Sequence, residues 1–298
     1  LPGYVVLNNK TGIPHGGKSI FGSGFLPATT GASFFNLDQD EVVSRVKPSR
    51  PLKEQRASLE FLEQLDGAFA KRSAAEGEVQ SAIKNYATAF RMQSAVPELM
   101  NLDKEPAYLK REYGFEHKDP LVAGYGQQCM VARRLVEKGV RFVELSCSNF
   151  KGDGQRPNPW DQHGNLPHGH QEMARQVDQP IAALINDLKQ RGLLESTLII
   201  FTGEFGRTPF SQGNNGRDHN PYGFSLWMAG GGIKGGSVHG ATDDLGYHAA
   251  EDKTTVYDLW ATVLHQLGMD HEKLTYRYGG RDMRLTDVHG NVMRSILH

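Results

Sequence analysis

From about residue 120 onward, short apolar runs alternate with amphipathic helical stretches, and this alternation constrains the fold more than any other feature. LVAGYGQQCMVARRLVEKG (121–139) reads as a helix, with Gly139 just past its end. The β-rich run RFVELSC (141–147) follows directly, and then a polar, Pro- and Gly-rich loop from Ser148 to Gly169. Pro180 opens a further helix with the apolar stripe Ile181, Leu184, Ile185 and Leu188, closed by Gly192. STLIIFTGE (196–204) is continuously apolar, as in strands covered on both faces, and FSLWMAGG (224–231) is a third such run. Thr255 and Asp258 make a capping-box start for a helix through Leu259, Trp260, Val263, Leu264 and Leu267. The pattern predicts an α/β fold: a mostly parallel sheet with helices on both faces, and sites in loops beyond the carboxyl ends of strands.

The N-terminal part is different. Residues 1–50 are loop-rich and broken by glycines, with Tyr4–Leu7 as one short strand-like run. Leu59, Leu62, Leu65 and Phe69, then Val79, Ile83, Tyr86 and Phe90, recur at helical spacing. They predict an antiparallel helical pair over 52–93, read as an insertion or cover within one domain spanning 1–298. A chain of 298 residues buries enough surface to fold without staples. Its 33 Lys and Arg nearly balance 34 Asp and Glu, which argues against a nucleic-acid footprint. No apolar run approaches the ~18 residues of a membrane span. Cys129 and Cys147 cannot build a multi-thiolate zinc site, and they leave room for one bridge at most.

Two stretches carry candidate chemistry. Gly12 to Ser19 satisfies the phosphate-loop pattern G-x-x-x-x-G-K-[ST], which would make Lys18 the basis of a nucleotide hydrolase. That loop needs a helix directly after it, and IFGSGFLP stands there instead, so the segment reads as a Gly-rich surface loop. The second signal is a concentration of metal-type ligands. His163, His168, His170, His219, His239 and His248 fall within one stretch of the chain. Three motifs share it: WDQHGN (160–165), GEFGRTP (203–209) and GRDHNP (216–221). Asp161, His163, Glu204, Asp218 and His219 are the candidate ligands, and mixed carboxylate and imidazole donors suit zinc, manganese or a harder divalent ion. Arg207 is the candidate catalytic residue, a fork for the oxygens of an anion. Each pair alone has a simpler reading, because loops favour Asp and Asn for turns.

WDQHGN, STLIIFTGEFGRTP, GRDHNPYGFSLWMAGGGIKGG and TTVYDLWATVLHQLGM, in this order, resemble the family called domain of unknown function 1501. That family is similar to a divergent branch of the alkaline phosphatase and sulfatase superfamily. The resemblance runs through nearly all of the chain and is densest from about 140 to 290. It implies one or two divalent metal ions (zinc, manganese or calcium) held beyond the carboxyl ends of a parallel sheet. Asp161 and His163 resemble the first internal ligand pair, and Asp218 with His219 the late ligand region. Glu204 stands where the strand-following Asp belongs, and Phe205 where its partner His belongs. The Gly-Gly-x-Ser-x-x-Asp type motif, near which the superfamily's nucleophile lies, does not occur here. The chain therefore resembles the family's domain without its N-terminal portion. Thr202 and Thr208 are nearby hydroxyls with no assigned role. The resemblance implies export to the periplasm or beyond, and hydrolysis of a small anionic phosphate or sulfate ester. The alternative is a non-catalytic carbohydrate- or protein-binding module whose metal site is structural or vestigial.

Overall fold

The computed structural model describes residues 1–8, 16–70, 72, 76–147 and 160–298. The chain is mixed α/β and divides into two compact units, 1–160 with 171–184 and 161–170 with 185–298.

The first unit holds the parallel sheet. Strand β1 (Tyr4–Asn8) lies between β2 (Ser33–Asn36) and β3 (Phe142–Leu145), both parallel to it. Val5, Val6 and Leu7 are buried in succession, which only a strand covered on both faces allows. Helix α1 (Leu52–Ala70) packs against α2 (Glu76–Met100), and the short α3 (Ala107–Glu112) precedes α4 (Pro120–Glu137). Met92, Val96 and Leu99 of α2 and Val131 and Leu135 of α4 close over Val5, Leu7 and Phe35. Asp119 accepts from the Leu121 amide and Pro120 fills the first turn, so α4 starts where its sequence says it should. Full burial of such side chains stabilises by roughly 1.5–3 kcal/mol each.

Helix α5 (Leu166–Gln190) contributes 171–184 to this unit and its ends to the second. Its start corrects the sequence reading. Pro167 occupies the first turn, and Pro180 lies inside the helix rather than at its beginning. The expected apolar stripe of α1 also behaves differently. Leu62, Leu65 and Phe69 stay exposed, because the half-buried Gln55, Leu59 and Asp66 lie on another face of the helix.

The second unit is built from antiparallel pairs: β4 (Ile199–Phe201), β5 (Gly206–Gln212), β6 (Gly216–Asn220), β7 (Trp227–Ala229), β8 (Ala241–Thr242), β9 (Ala249–Glu251), β10 (Thr275–Tyr278) and β11 (Arg281–Arg284). β4 pairs with β7, β5 with β6, β8 with β9 and β10 with β11. Among the described residues the parallel part of the fold is thus confined to three strands, where the sequence predicts a mostly parallel sheet. Helix α6 (Val256–Gln266) carries the predicted box, Thr255 and Asp258 each capping the other's amide.

Among the described residues no helix is long and apolar enough to cross a membrane. Cys129 and Cys147 are both free, and burial pushes the Cys147 thiol up to about 12. Gly12 to His15 of the phosphate-loop pattern and 148–159 of the predicted polar loop lie outside the described residues. After Gly16 the chain makes one 3-10 turn, Gly17–Phe21, with Gly22 at its end rather than a continuing α-helix.

Candidate metal centre

The site rests on backbone fastening between 161–166 and the β5–β6 hairpin. The Gln162 carbonyl accepts from the Arg217 amide at 3.2 Å, and the Asn165 and Leu166 amides donate to the Asn214 and Asn215 carbonyls. Asn165 and Asn215 both adopt positive φ, which asparagine tolerates better than most residues. Gly216 opens β6 flush against His163. A Cβ there would lie 2.0 Å from the His163 carbonyl carbon, so a side chain would separate the two segments.

This fastening brings three ligand atoms together. Asp161 Oδ1 lies 3.0 Å from His163 Nε2 and 2.9 Å from His219 Nε2, and the two Nε2 atoms are 3.1 Å apart. Atoms so spaced can all stand about 2.1 Å from one point, the usual zinc–imidazole and zinc–carboxylate distance. Gln212 Oε1, 2.5 Å from His163 Nδ1, can only accept there. With Nδ1 turned to Gln212, the His163 ring presents Nε2 to the triad, as an oriented metal ligand does. The donor set fits a divalent ion, and two imidazoles favour zinc or manganese over oxygen-seeking calcium. The three side chains are 37–49% exposed, so an ion reaches them from solvent.

Arg207 lies directly across the β5–β6 ladder from His219, and its Nη2 donates to Asp161 Oδ1 at 2.8 Å. Burial raises the Asp161 pKa, but hydrogen bonds from His219 and Arg207 and the neighbouring positive charges outweigh that. The carboxyl falls to about 2 and is ionised at any ordinary pH. Phe205 lies with its ring 4.2 Å from that of His219, and the Arg207 guanidinium sits 5.8 Å from the same phenyl ring.

The family model described as "Protein of unknown function (DUF1501)" matches residues 1–297. The chain belongs to this family. No curated protein and no solved structure matches the chain.

In this DUF1501 chain, then, Asp161, His163 and His219 converge, the one such group of three among the described residues. Glu204 and Asp218 are not part of it. Glu204 is exposed in the turn before β5. Asp218 precedes His219 on β6, and successive strand side chains point to opposite faces. Its Oδ1 accepts the His219 amide at 2.8 Å, so it braces the backbone beneath a ligand. Arg207, expected from the sequence as a fork for anionic oxygens, is paired here with Asp161. Gln212 and Phe205 complete the surroundings. Nothing in the sequence marks Gln212, which sits 49 positions from its partner.

Proposed function

We propose that the chain is a metal-dependent hydrolase of phosphate or sulfate esters, a divergent relative of the alkaline phosphatase and sulfatase superfamily. The observation that carries this reading is the meeting of Asp161 Oδ1, His163 Nε2 and His219 Nε2 within 3.1 Å of one another. A divalent ion bound there supplies Lewis-acid polarisation of an ester oxygen and a hydroxide at neutral pH. Asp161 offers its ionised oxygen, and Gln212 keeps the His163 ring turned with Nε2 inward. Arg207 fixes a positive charge beside the triad, where it offsets charge growing on the oxygens of a transferring phosphoryl or sulfuryl group. Thr208 is buried, with its hydroxyl donating to the Phe210 carbonyl and accepting the Asp218 amide. The Thr202 hydroxyl donates to the Gly203 carbonyl. The reading accordingly assigns no side-chain nucleophile.

The second reading, a binding module with a structural or vestigial metal, is favoured by Phe205. That ring covers His219 at the position where the superfamily pattern asks for a ligand. Elemental mass spectrometry on the purified chain after dialysis, followed by turnover of aryl phosphate and sulfate esters, separates the two. Near-stoichiometric zinc or manganese with turnover supports the hydrolase. Metal without turnover supports the binding module. Dominant iron would replace both with oxidative chemistry, because two His and one carboxylate are also the donors of non-haem iron oxygenases. In His219→Ala, metal and turnover are expected to fall together to about a tenth or less while the fold persists. Retained metal in that variant would sink the triad assignment.

A further inference from the structure

A cluster of rings that the metal triad does not use begins three residues past His219. Tyr222 lies 5.6 Å from Tyr247 and 5.4 Å from His248, centroid to centroid, and Phe210 lies 6.0 Å from Tyr247. Phe210 and Tyr222 are 59% and 54% exposed, so these rings are presented to solvent rather than used as core. Resting on the hydrolase reading, we propose that these rings are the platform for the body of the substrate, and that the substrate is a sugar carrying the phosphate or sulfate ester.

The platform is fastened to the triad by one buried side chain. Asn220, next to His219 and fully buried, donates from Nδ2 to the Tyr247 carbonyl at 2.8 Å and accepts the Tyr222 amide at 3.1 Å. The Ala249 amide donates to the Tyr222 carbonyl at 2.8 Å. Gly223 lets the two loops touch, since a Cβ there would lie 3.0 Å from the Tyr247 carbonyl oxygen. Asp243 completes the brace by accepting the Tyr247 and His248 amides and facing His248 Nδ1. From the metal end, Phe210 shares strand β5 with Arg207 and Gln212, which hold Asp161 and His163. Phe210 thus shares one hairpin with Arg207, Gln212 and His219, and Asn220 at the end of that hairpin ties Tyr222 and Tyr247 to it.

The chemistry of the cluster selects the ligand. Neighbouring rings are tilted by 30° to 43°, and Tyr247 meets His248 edge-on at 84°. No parallel slot exists among them for a flat base or arene. A stepped aromatic surface suits the puckered C–H face of a sugar, whose partly positive hydrogens meet the negative ring faces. Tyrosine hydroxyls, His248 and the exposed Asp244 at the rim supply partners for sugar hydroxyls. The carboxylates of Asp243, Asp244, Glu251 and Asp252 in the same part of the chain disfavour a nucleic-acid strand.

The test uses the full chain with cellotetraose and galactose 6-sulfate as probes, by calorimetric titration, and with galactose 6-sulfate and methyl phosphate as esters for turnover. Tyr222→Ala is expected to weaken cellotetraose binding about tenfold and raise KM for the sugar ester similarly, a larger change than any in its kcat or in the turnover of methyl phosphate. Tyr222→Phe, which keeps the ring and loses only its hydroxyl, should weaken binding less than Tyr222→Ala, and Tyr86→Ala, which removes an exposed tyrosine of α2, should change nothing. Sugar binding that is lost in Tyr222→Ala supports the platform even if no ester turns over, and in that case the hydrolase reading alone falls. No sugar binding by the unaltered chain at ~10 mM, or binding that survives both Tyr222→Ala and Tyr247→Ala, overturns the platform whatever the turnover.

Discussion

The unit that carries the parallel sheet and the unit that carries the metal triad bury different things. In the first, β1, α2 and α4 enclose a continuous apolar core of Val5, Leu7, Phe35, Val96, Leu99, Val131 and Leu135. In the second, α6 supplies Leu259, Ala261, Val263 and Leu264, and much of what else is buried is polar: Gln162, Thr208, Asn220, Asp258, Thr262, His271 and Thr286. Thr208, Asn220, Asp258, Thr262, His271 and Thr286 are pinned to backbone or to one another. Asp258 accepts the Asn291 amide, Thr262 accepts the Met293 amide, and His271 Nδ1 meets Thr286 Oγ1 at 2.9 Å. Apolar burial is non-directional and tolerates small shifts, whereas hydrogen bonds fix loops in register. A metal centre made of loop residues needs the second kind of order.

Substitutions should separate the two kinds of order, and the largest effect belongs to the apolar core. Phe35→Ala removes a fully buried ring and is expected to destabilise by about 3–5 kcal/mol in denaturant unfolding. A loss under about 1 kcal/mol would mean that the core does not carry that unit. Asn220→Ala should cost less, about 1–3 kcal/mol, because it strands the Tyr247 carbonyl and the Tyr222 amide. Unlike Phe35→Ala, it should also weaken metal binding, read by titration with zinc, since His219 is its neighbour. Unchanged metal affinity would show that the hairpin holds its register without Asn220. His219→Ala should move stability by no more than about 0.5 kcal/mol, the side chain being exposed, while abolishing metal uptake.

Acid should give the smallest effect. The Asp161 carboxyl is depressed to about 2 in the fold, so its contribution is fully present above the ordinary unfolded value of about 4. It is lost as pH falls through about 2, and solvent screening of a half-exposed pair keeps it small. The stability difference between the unaltered chain and Asp161→Asn should therefore be flat above about pH 5 and shrink below pH 4. A change between pH 5 and 7 would point to another group.

The same contrast explains what could be read from the sequence. Helices α4 and α6 were legible because their end signals are local: Gly139, at positive φ just past α4, and Thr255 with Asp258 at the start of α6. Strand direction was not legible. Ile199–Phe201 and Trp227–Ala229 are apolar runs like those of a parallel sheet, yet they pair antiparallel, with Phe201 and Trp227 stacked at 5.5 Å. Hydrophobic content says that a strand has neighbours, not which way they run. Pro180 misled because proline inside a helix usually costs ~3 kcal/mol, so the sequence favours it as a start. At the site, Asp161, His163 and His219 were legible by residue chemistry. Adjacency to His219 suggested Asp218 as well, but adjacent positions on a strand do not share a face; Glu204 was suggested by its place after a strand, and it lies exposed before β5, outside the triad. Gln212 was invisible because its part is set by a contact across 49 positions of chain.

The contact between Gly216 and His163 bears on any attempt to transplant this centre. Backbone against backbone, with no room for even a methyl group, sets how far apart the two imidazole-bearing segments run. The smallest portable unit is therefore not three side chains placed on a convenient scaffold. It is a hairpin and a crossing loop segment joined at a bare α-carbon, with Gln212 carried along to hold the His163 ring. A host protein given only Asp161, His163 and His219 would inherit the ligands without the ruler that spaces them.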